Sequence, residues 1–435
     1  MDISLPEFLR LKKAAYMNDI SAGKGDEWTV VMGNEAGDLD SLASAIAYAW
    51  YACNTKNSPT IPLVQGPRAD LPLRAENLHA LELVGIDQLD LLCIDDVPTP
   101  FPSSRFALMD HNRLTAPFTL SNARVTAIID HHTDEGLYTD SADPRIVVPG
   151  IGSCSSLVAL ELKERRALQL KEDRPKLEQA PSALATLLLA AIVIDTTGLR
   201  PGGKAVEADY NAAAYLAPLT ALPGSTSAET QSFAAGELHA SAEVRALNAT
   251  LQAKKGAVAH LGTRDLLRRD YKEYTHASSG RDVRVGMASV PVGLHEWLSR
   301  EGQRKFAAET QAWMDERGLH ALGILTSFRD DTKLGKSGKG RGKREQAWVV
   351  REDDGGDGEL AHKLFKGLIK SEELRLKDKT WVKAGMAEGG GFGAGVHVRV
   401  WKQKNADATR KVTAPLVKAI LEAPGEGADS HKSGL

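Results

Sequence analysis

Asp38 and Asp40 stand two residues apart in GNEAGDLDS (33–41), and extended residues at that spacing point to the same side. Two carboxylates pushed together repel unless a cation lies between them. Three further acids close apolar runs: Asp110 in LMDHN, Asp130 in VTAIIDHHTDEG (125–136) and Asp195 in VIDTTG. His131 and His132 follow Asp130 directly, where the strand opens toward solvent. Mixed carboxylate and imidazole donors suit Mg2+, Mn2+ or a related divalent ion better than a thiolate-bound zinc. Two such ions about 3.5–4 Å apart form the recurring clamp for in-line displacement at phosphorus. A water between them has its pKa lowered toward roughly 7 and attacks at neutral pH.

These side chains need elements that bring them together. WTVVMG (28–33), LDLLCID (89–95), RFALMD (105–110), VTAIID (125–130) and RIVVPG (145–150) are short apolar runs that read as strands. Residues 40–54, 155–167 and 182–195 carry helical spacing, and the first opens on an Asp/Ser pair suited to an N-terminus. Strands alternating with helices predict a parallel sheet in an α/β domain. Ligands of such sheets bind beyond the carboxyl ends of the strands, where Asp95, Asp110 and Asp130 gather.

The whole chain limits the alternatives. Its 435 residues exceed a single comfortable core and suit two domains. Hydrophobic residues make up 42% and charged residues 26%, a globular composition. The formal charge of -3, from 54 basic and 57 acidic residues, gives no global attraction to nucleic acid. Cys53, Cys93 and Cys154 lie far apart with no metal-binding spacing, and an odd count suits a reducing compartment. MDISLPEFLRLKK has no signal pattern and no apolar run is long enough to span a bilayer, so a cytoplasmic location without a membrane partner is expected.

A loop-rich stretch at 218–231 and a helical one at 237–256 precede a change of pattern. The expected organisation is a metal-binding domain over 1–256, a second, smaller α/β domain over 257–425 and a disordered tail over 426–435. Within the second domain, KLGKSGKGRGKR (333–344) has six basic residues, four glycines and no acid, which predicts a flexible insertion. It could steer polyanions by its local field. Glycines at 388–395 are followed by no GK[ST], so a nucleotide P-loop is unsupported. Ser153 and Ser156 open a helix and are read as capping and packing residues.

In order, GNEAGDLDS, LMDHN, DHHTDEG and VIDTTG resemble the four motifs of the DHH phosphoesterases, over most of residues 28 to 200. The branch with a DHHA2 second domain is the one the chain looks like. That branch includes family II inorganic pyrophosphatases, prune-type proteins and fungal cytosolic exopolyphosphatases, and the chain is most similar to the last. The resemblance implies a DHH domain, a smaller DHHA2 domain, a catalytic cleft between them and hydrolysis of linear polyphosphate. It implies that Asp38 holds one metal and Asp40 the other, that Asp110 bridges them, and that His131 and Asp195 join the metal of Asp40. His132 would face the substrate phosphate as donor or general acid. Asp130 would support the histidines, with His111 and Asn112 beside it.

Where the pyrophosphatases carry a histidine ligand, this chain has Asn34, which offers an amide oxygen to metal or substrate. That change favours two Mg2+ ions, with Mn2+ or Co2+ as alternatives, and the exopolyphosphatase branch. From the second domain the resemblance implies that Lys272, Arg410 and Lys411 contact substrate; Arg113, beside MDHN, is a further phosphate candidate. The competing expectations are a pyrophosphatase acting on two phosphates and a prune-like protein that cleaves short polyphosphates or nucleotides and works through partners. Polyphosphate is the expected partner, nucleic acid is not, and a monomer is favoured.

Overall fold

The computed structural model describes residues 3–55, 58–171, 181–222, 235–278, 280–334, 340–352, 358–379 and 391–423. Their contacts divide the chain into Met1–Ala257 and Val258–Leu435.

In the first unit, β1 (Thr29–Met32), β2 (Thr60–Val64), β3 (Leu92–Cys93), β4 (Arg105–Met109), β5 (Arg124–Asp130) and β6 (Arg145–Val147) form one sheet. Its order is β3-β2-β1-β4-β5-β6 and every pairing is parallel. The chain therefore winds outward from β1 in one direction and then from β4 in the other. Between the carboxyl ends of β1 and β4 the connections diverge, and a crevice opens there. Pro62 sits inside β2, opposite Val31 of β1. It is tolerated because β3 pairs with β2 only at Leu63 and Val64, so no ladder bond on that side is lost at Pro62.

The helices of this unit are α1 (Leu5–Ser21), α2 (Leu39–Thr55), α3 (Ala75–Leu83), α4 (Cys154–Lys171), α5 (Ser182–Asp195), α6 (Glu207–Leu216) and α7 (Ala242–Gly256). SALATLLLAAIVID is apolar all round, and Leu184 to Ile194 of α5 are all buried. Such a helix has no solvent face and must run through the core. It packs against α2, α4 and α6 and delivers Asp195 at its C-terminal end.

The second unit has one mixed sheet of order β11-β12-β10-β9-β8-β7. Its strands are β7 (Tyr271–Ser278), β8 (Arg281–Val290), β9 (Ala321–Leu334), β10 (Gly340–Arg351), β11 (Leu376–Asp378) and β12 (Val396–Gln403). Only the β8–β9 pairing is parallel. Around it lie α8 (Thr263–Arg269), α9 (Leu294–Glu301), α10 (Gln303–Arg317), α11 (Glu359–Ile369) and α12 (Arg410–Glu422).

The basic segment 333–344 is not one flexible insertion. Residues 333–334 end β9, and Gly340 to Arg344 begin β10. Gly342 pairs with Arg329 and Lys343 with Phe328, so the ladder of the flanking apolar strands extends outward to include Gly340 and Gly342. Lys343 also pairs with Asp330, and Arg344 Nε donates to the Ala406 carbonyl. Residues 335–339, Glu388 with the glycines at 389–390, and the tail 426–435 lie outside the described residues. Among the described residues, no helix is long and apolar enough to cross a membrane.

Candidate metal centre

The loop after β1 is built by close approach. A Cβ on Gly33 would stand 2.5 Å from Ser41 Cβ and 2.7 Å from the Ser41 carbonyl oxygen, so only glycine lets β1 meet the start of α2. Asp38 caps α2: its Oδ1 accepts from Ser41 N at 3.0 Å and its carbonyl from Leu42 N at 3.0 Å. Two buried side chains hold this loop. Arg74 Nη2 donates to the Ala36 carbonyl at 2.5 Å, and Asn77 Nδ2 donates to the Gly37 carbonyl at 2.9 Å.

Asn34 turns its amide onto Asp110 and its own loop. Its Nδ2 donates to Asp110 Oδ2 at 2.7 Å and to the Asp110 carbonyl at 3.0 Å, while its Oδ1 accepts from Ala36 N at 2.9 Å. A carboxylate needs a donor and a backbone N–H needs an acceptor, so both ends of the amide are fixed. Asn34 is thus a positioning residue for Asp110.

Asp110 ends β4 with a φ of 63°, a left-handed conformation that Asp tolerates better than most residues. Its Oδ2 accepts from Asn34 and from the Ser41 hydroxyl, each at 2.7 Å. Its Oδ1 faces His131 Nε2 at 3.2 Å and His132 Nδ1 at 3.5 Å. The other His131 nitrogen, Nδ1, donates to the Ile151 carbonyl at 3.0 Å. That bond fixes the tautomer and leaves the Nε2 lone pair turned toward Asp110.

Asp130, fully buried at the end of β5, serves the neighbouring imidazole. Its Oδ1 accepts from His132 Nδ1 at 2.7 Å and His132 N at 3.1 Å, and its Oδ2 accepts from Asn112 Nδ2 at 2.5 Å. Burial alone would raise this carboxyl, but the bonds from His132 and Asn112 and the His132 charge bring it below its ordinary value. Asn112 is itself held by the Thr133 carbonyl and Glu135 N. His111 turns its Nδ1 to the Met109 carbonyl at 3.0 Å, away from this set.

Asp40 reaches from α2 to the first residues of α4. Its Oδ1 accepts from Ser155 N at 2.7 Å and the Ser153 hydroxyl at 2.8 Å, and its Oδ2 from Cys154 N at 2.6 Å. Helix N-termini favour negative charge, so α4 and Asp40 stabilise one another. Ser153 therefore acts on a site carboxylate, whereas Ser156 donates to Asp209 and is structural. Even so, burial and the charges of Asp110 and Asp38 hold the Asp40 carboxyl above its ordinary range. Asp195 is pushed well above that range by burial and by Asp40 and Asp38. Cys154 lies alongside with its thiol raised well above the usual value by burial and Asp40, which makes it an inert packing residue.

The donor set fits a divalent cation. Two ligands at right angles on an ion about 2.1 Å away stand about 3.0 Å apart. Asp110 Oδ1 and His131 Nε2 are 3.2 Å apart, and ligand atoms of Asp110, His131 and His132 all lie within 4.8 Å of one another. Asp38 Oδ2 and the Asp195 carboxylate take no hydrogen bond among the described residues. Cations placed among Asp38, Asp40, Asp110 and Asp195 would cancel the repulsion that raises two of these carboxyls.

Other candidates stand elsewhere. Asp95, beyond the edge strand β3, accepts from Arg68 N at 3.0 and 3.2 Å. Arg113 is exposed and pairs with Glu135 at 2.8 Å. In the second unit, Arg410 is committed to its own scaffold: Nη1 donates to the carbonyls of Asp270 and Met287 at 2.8 and 3.3 Å, and Nη2 to Asp270 Oδ1 at 2.7 Å. Asp270 immediately precedes β7 and Met287 lies within β8, so the guanidinium fork fastens the start of α12 to both strands. Lys272, half-buried on β7, is in register with Met287 and so neighbours Arg410; Lys411 is exposed at the start of α12. Arg74, Asn77 and Ser41 have no short-range signal in the sequence, because their partners lie 38, 40 and 69 residues away.

Replacing Gly33 with Ala should test this close packing. The added methyl meets backbone, so α2 must shift and carry Ser41 away from Asp110. A stability loss of about 1–3 kcal/mol is expected in urea unfolding. Phosphate release should fall about ten- to a hundredfold.

Comparisons with known proteins agree with this architecture. Residues 28–192 match the DHH family N-terminal domain and residues 249–420 match the DHHA2 domain. A Schizosaccharomyces pombe protein named "Putative exopolyphosphatase" is 28% identical over 92% of this chain and 93% of its own length. "Exopolyphosphatase PRUNE1" of Rattus norvegicus is 27% identical over 69% of this chain, which spans only 59% of that protein. The solved structure of a "putative family II inorganic pyrophosphatase" from Methanococcus jannaschii matches 91% of this chain and all of that one, with a TM-score of 0.54 at 20% identity, and shares its fold. The chain belongs to the DHH family, with a DHHA2 domain as its second part.

Proposed function

We propose that the chain is a divalent-metal-dependent exopolyphosphatase that releases orthophosphate from the end of linear polyphosphate. The observation that carries this reading is the pairing of Asp110 Oδ1 with His131 Nε2 at 3.2 Å, each held from behind by a separate hydrogen bond. Asp38, Asp40, Asp110, His131 and Asp195 would hold two ions. Bound there, the ions supply Lewis acidity toward phosphoryl oxygens and a nucleophile at neutral pH.

The chain's own residues do the rest. Asp130 keeps the His132 Nδ1 proton engaged, so Nε2 of the imidazolium is the atom that gives its proton to the leaving phosphate oxygen. As the terminal P–O anhydride bond breaks, that proton neutralises the charge left on the shortened chain. Asn34, Ser41 and Asn112 hold the acceptors in place before substrate arrives. Lys272 and Lys411 are the cations of the second unit assigned to the polyanion, with Arg410 as the residue that anchors their surroundings. The Asn34 amide is engaged with Asp110 and Ala36 N, and position 34 supplies no imidazole nitrogen to the metals. The remaining set is rich in oxygen, which favours Mg2+.

Phosphate release should be measured from long-chain polyphosphate and from pyrophosphate at equal anhydride concentration. Faster release from polyphosphate is expected, with Mg2+ at least as effective as Mn2+. EDTA should abolish activity and Mg2+ restore it. Preference for pyrophosphate would replace this reading by the pyrophosphatase one.

A further inference from the structure

On α11, His362, Phe365, Lys366 and Ile369 follow the i, i+3, i+4, i+7 spacing of one helix face. On β12, His397, Arg399 and Trp401 alternate onto one face of the sheet. Trp401 meets Phe365 at 5.6 Å, edge to face, so the two faces confront each other. Between them runs a groove of about 650 Å³, lined by both sets. Its floor is aromatic, and each wall carries one fixed cation, Lys366 or Arg399, beside a histidine. His362 and Lys366 are about 6 Å apart along the helix. His397 and Arg399 are about 7 Å apart along the strand. Asp378 is the one acid among the lining residues, and its Oδ1 accepts from Trp401 Nε1 at 3.0 Å, one strand step beyond the cations. Among the described residues, no side chain pairs with His362, His397 or Arg399.

We propose that this groove is a second binding site for linear polyphosphate, which holds a stretch of the chain by ionic contact and performs no chemistry. A lysine on one wall and an arginine on the other, each with a histidine beside it as a hydrogen-bonding partner, match a thread that carries charge at every step. Arg399 adds a fork that can grip phosphate oxygens bidentately. The site is separate from the Lys272 and Arg410 region, since β12 lies four strand spacings, about 19 Å, from β7 in the sheet. The proposal rests on the polyphosphate reading, but its test does not depend on turnover.

Binding of labelled long-chain polyphosphate should be measured on the full chain carrying Asp110→Asn, without added metal. Adding Lys366→Gln and Arg399→Gln should weaken binding at least tenfold and make its salt dependence shallower by about one to two logarithmic units per decade. The same pair of substitutions in the otherwise unaltered chain should leave tripolyphosphate hydrolysis within twofold. Lys370→Gln with Lys377→Gln removes equal charge outside the groove and should change affinity less than twofold. Unchanged affinity in the groove variant, equal loss in the control, or no polyphosphate binding at all would overturn the proposal. Groove-dependent binding with no hydrolysis by the unaltered chain would instead defeat the exopolyphosphatase reading and leave this one standing.

Discussion

Asp110→Asn should reduce phosphate release by at least about a thousandfold while making the metal-free protein more stable. The substitution keeps shape and hydrogen bonds. An asparagine oxygen can still accept from Asn34 and Ser41, and its amide N–H can donate to the His131 Nε2 lone pair. Asparagine also tolerates the left-handed backbone at this position. What disappears is a buried negative charge that raises Asp40. Removing it should add about 1 kcal/mol of stability in EDTA, or about 2–4 °C in Tm. Without that charge, the proposed cations are left with Asp38, Asp40 and Asp195 as their only anions. Activity within tenfold of the parent would exclude Asp110 from the metal centre. A lower Tm would show that its negative charge is structurally required.

The second large effect is expected at Asp130. In Asp130→Asn, the amide oxygen can satisfy Asn112, but its NH2 then points at His132 Nδ1 and N–H. The imidazole must give up the Nδ1 proton or turn away. Either change removes the proton donor directed at the leaving group. A loss of about 100- to 10,000-fold in kcat is expected, by analogy with other buried carboxylate–histidine pairs. Affinity for metal should change far less, because Asp130 gives its oxygens to His132 and Asn112 and His131 is held by Ile151 instead. Isothermal titration with Mn2+ alongside the kinetics separates the two. Equal loss of metal binding and turnover would make Asp130 a ligand support with no part in proton transfer.

Strands β1, β4 and β5 are legible in the sequence because short apolar runs end on Asp or Gly. β2 is not, since Pro62 interrupts the pattern and only the short partner β3 makes it tolerable. Asp95 looks like its counterparts at 110 and 130, yet strand order carries it to the far edge of the sheet. Sequence position fixes a residue at a strand end; only topology decides whether that end borders the crevice. Asp40 shows the same limit at the level of partners. Its spacing from Asp38 is visible, but the bonds to Ser153, Cys154 and Ser155 span more than a hundred residues. Arg410 reads as a phosphate grip in the sequence, where its bonds to the Asp270 and Met287 carbonyls, more than a hundred residues away, are not visible. The basic run 333–344 reads as loose chain because composition hides the ladder that its neighbours extend.

The grip of Asp40 on the opening residues of α4 gives the ion-free protein its own keystone. Since that anchorage is made wholly of protein atoms, stripping the cations leaves the chamber standing. Dialysis against one divalent salt and then another should therefore exchange occupants repeatedly without a refolding step, so that a single preparation serves for every metal.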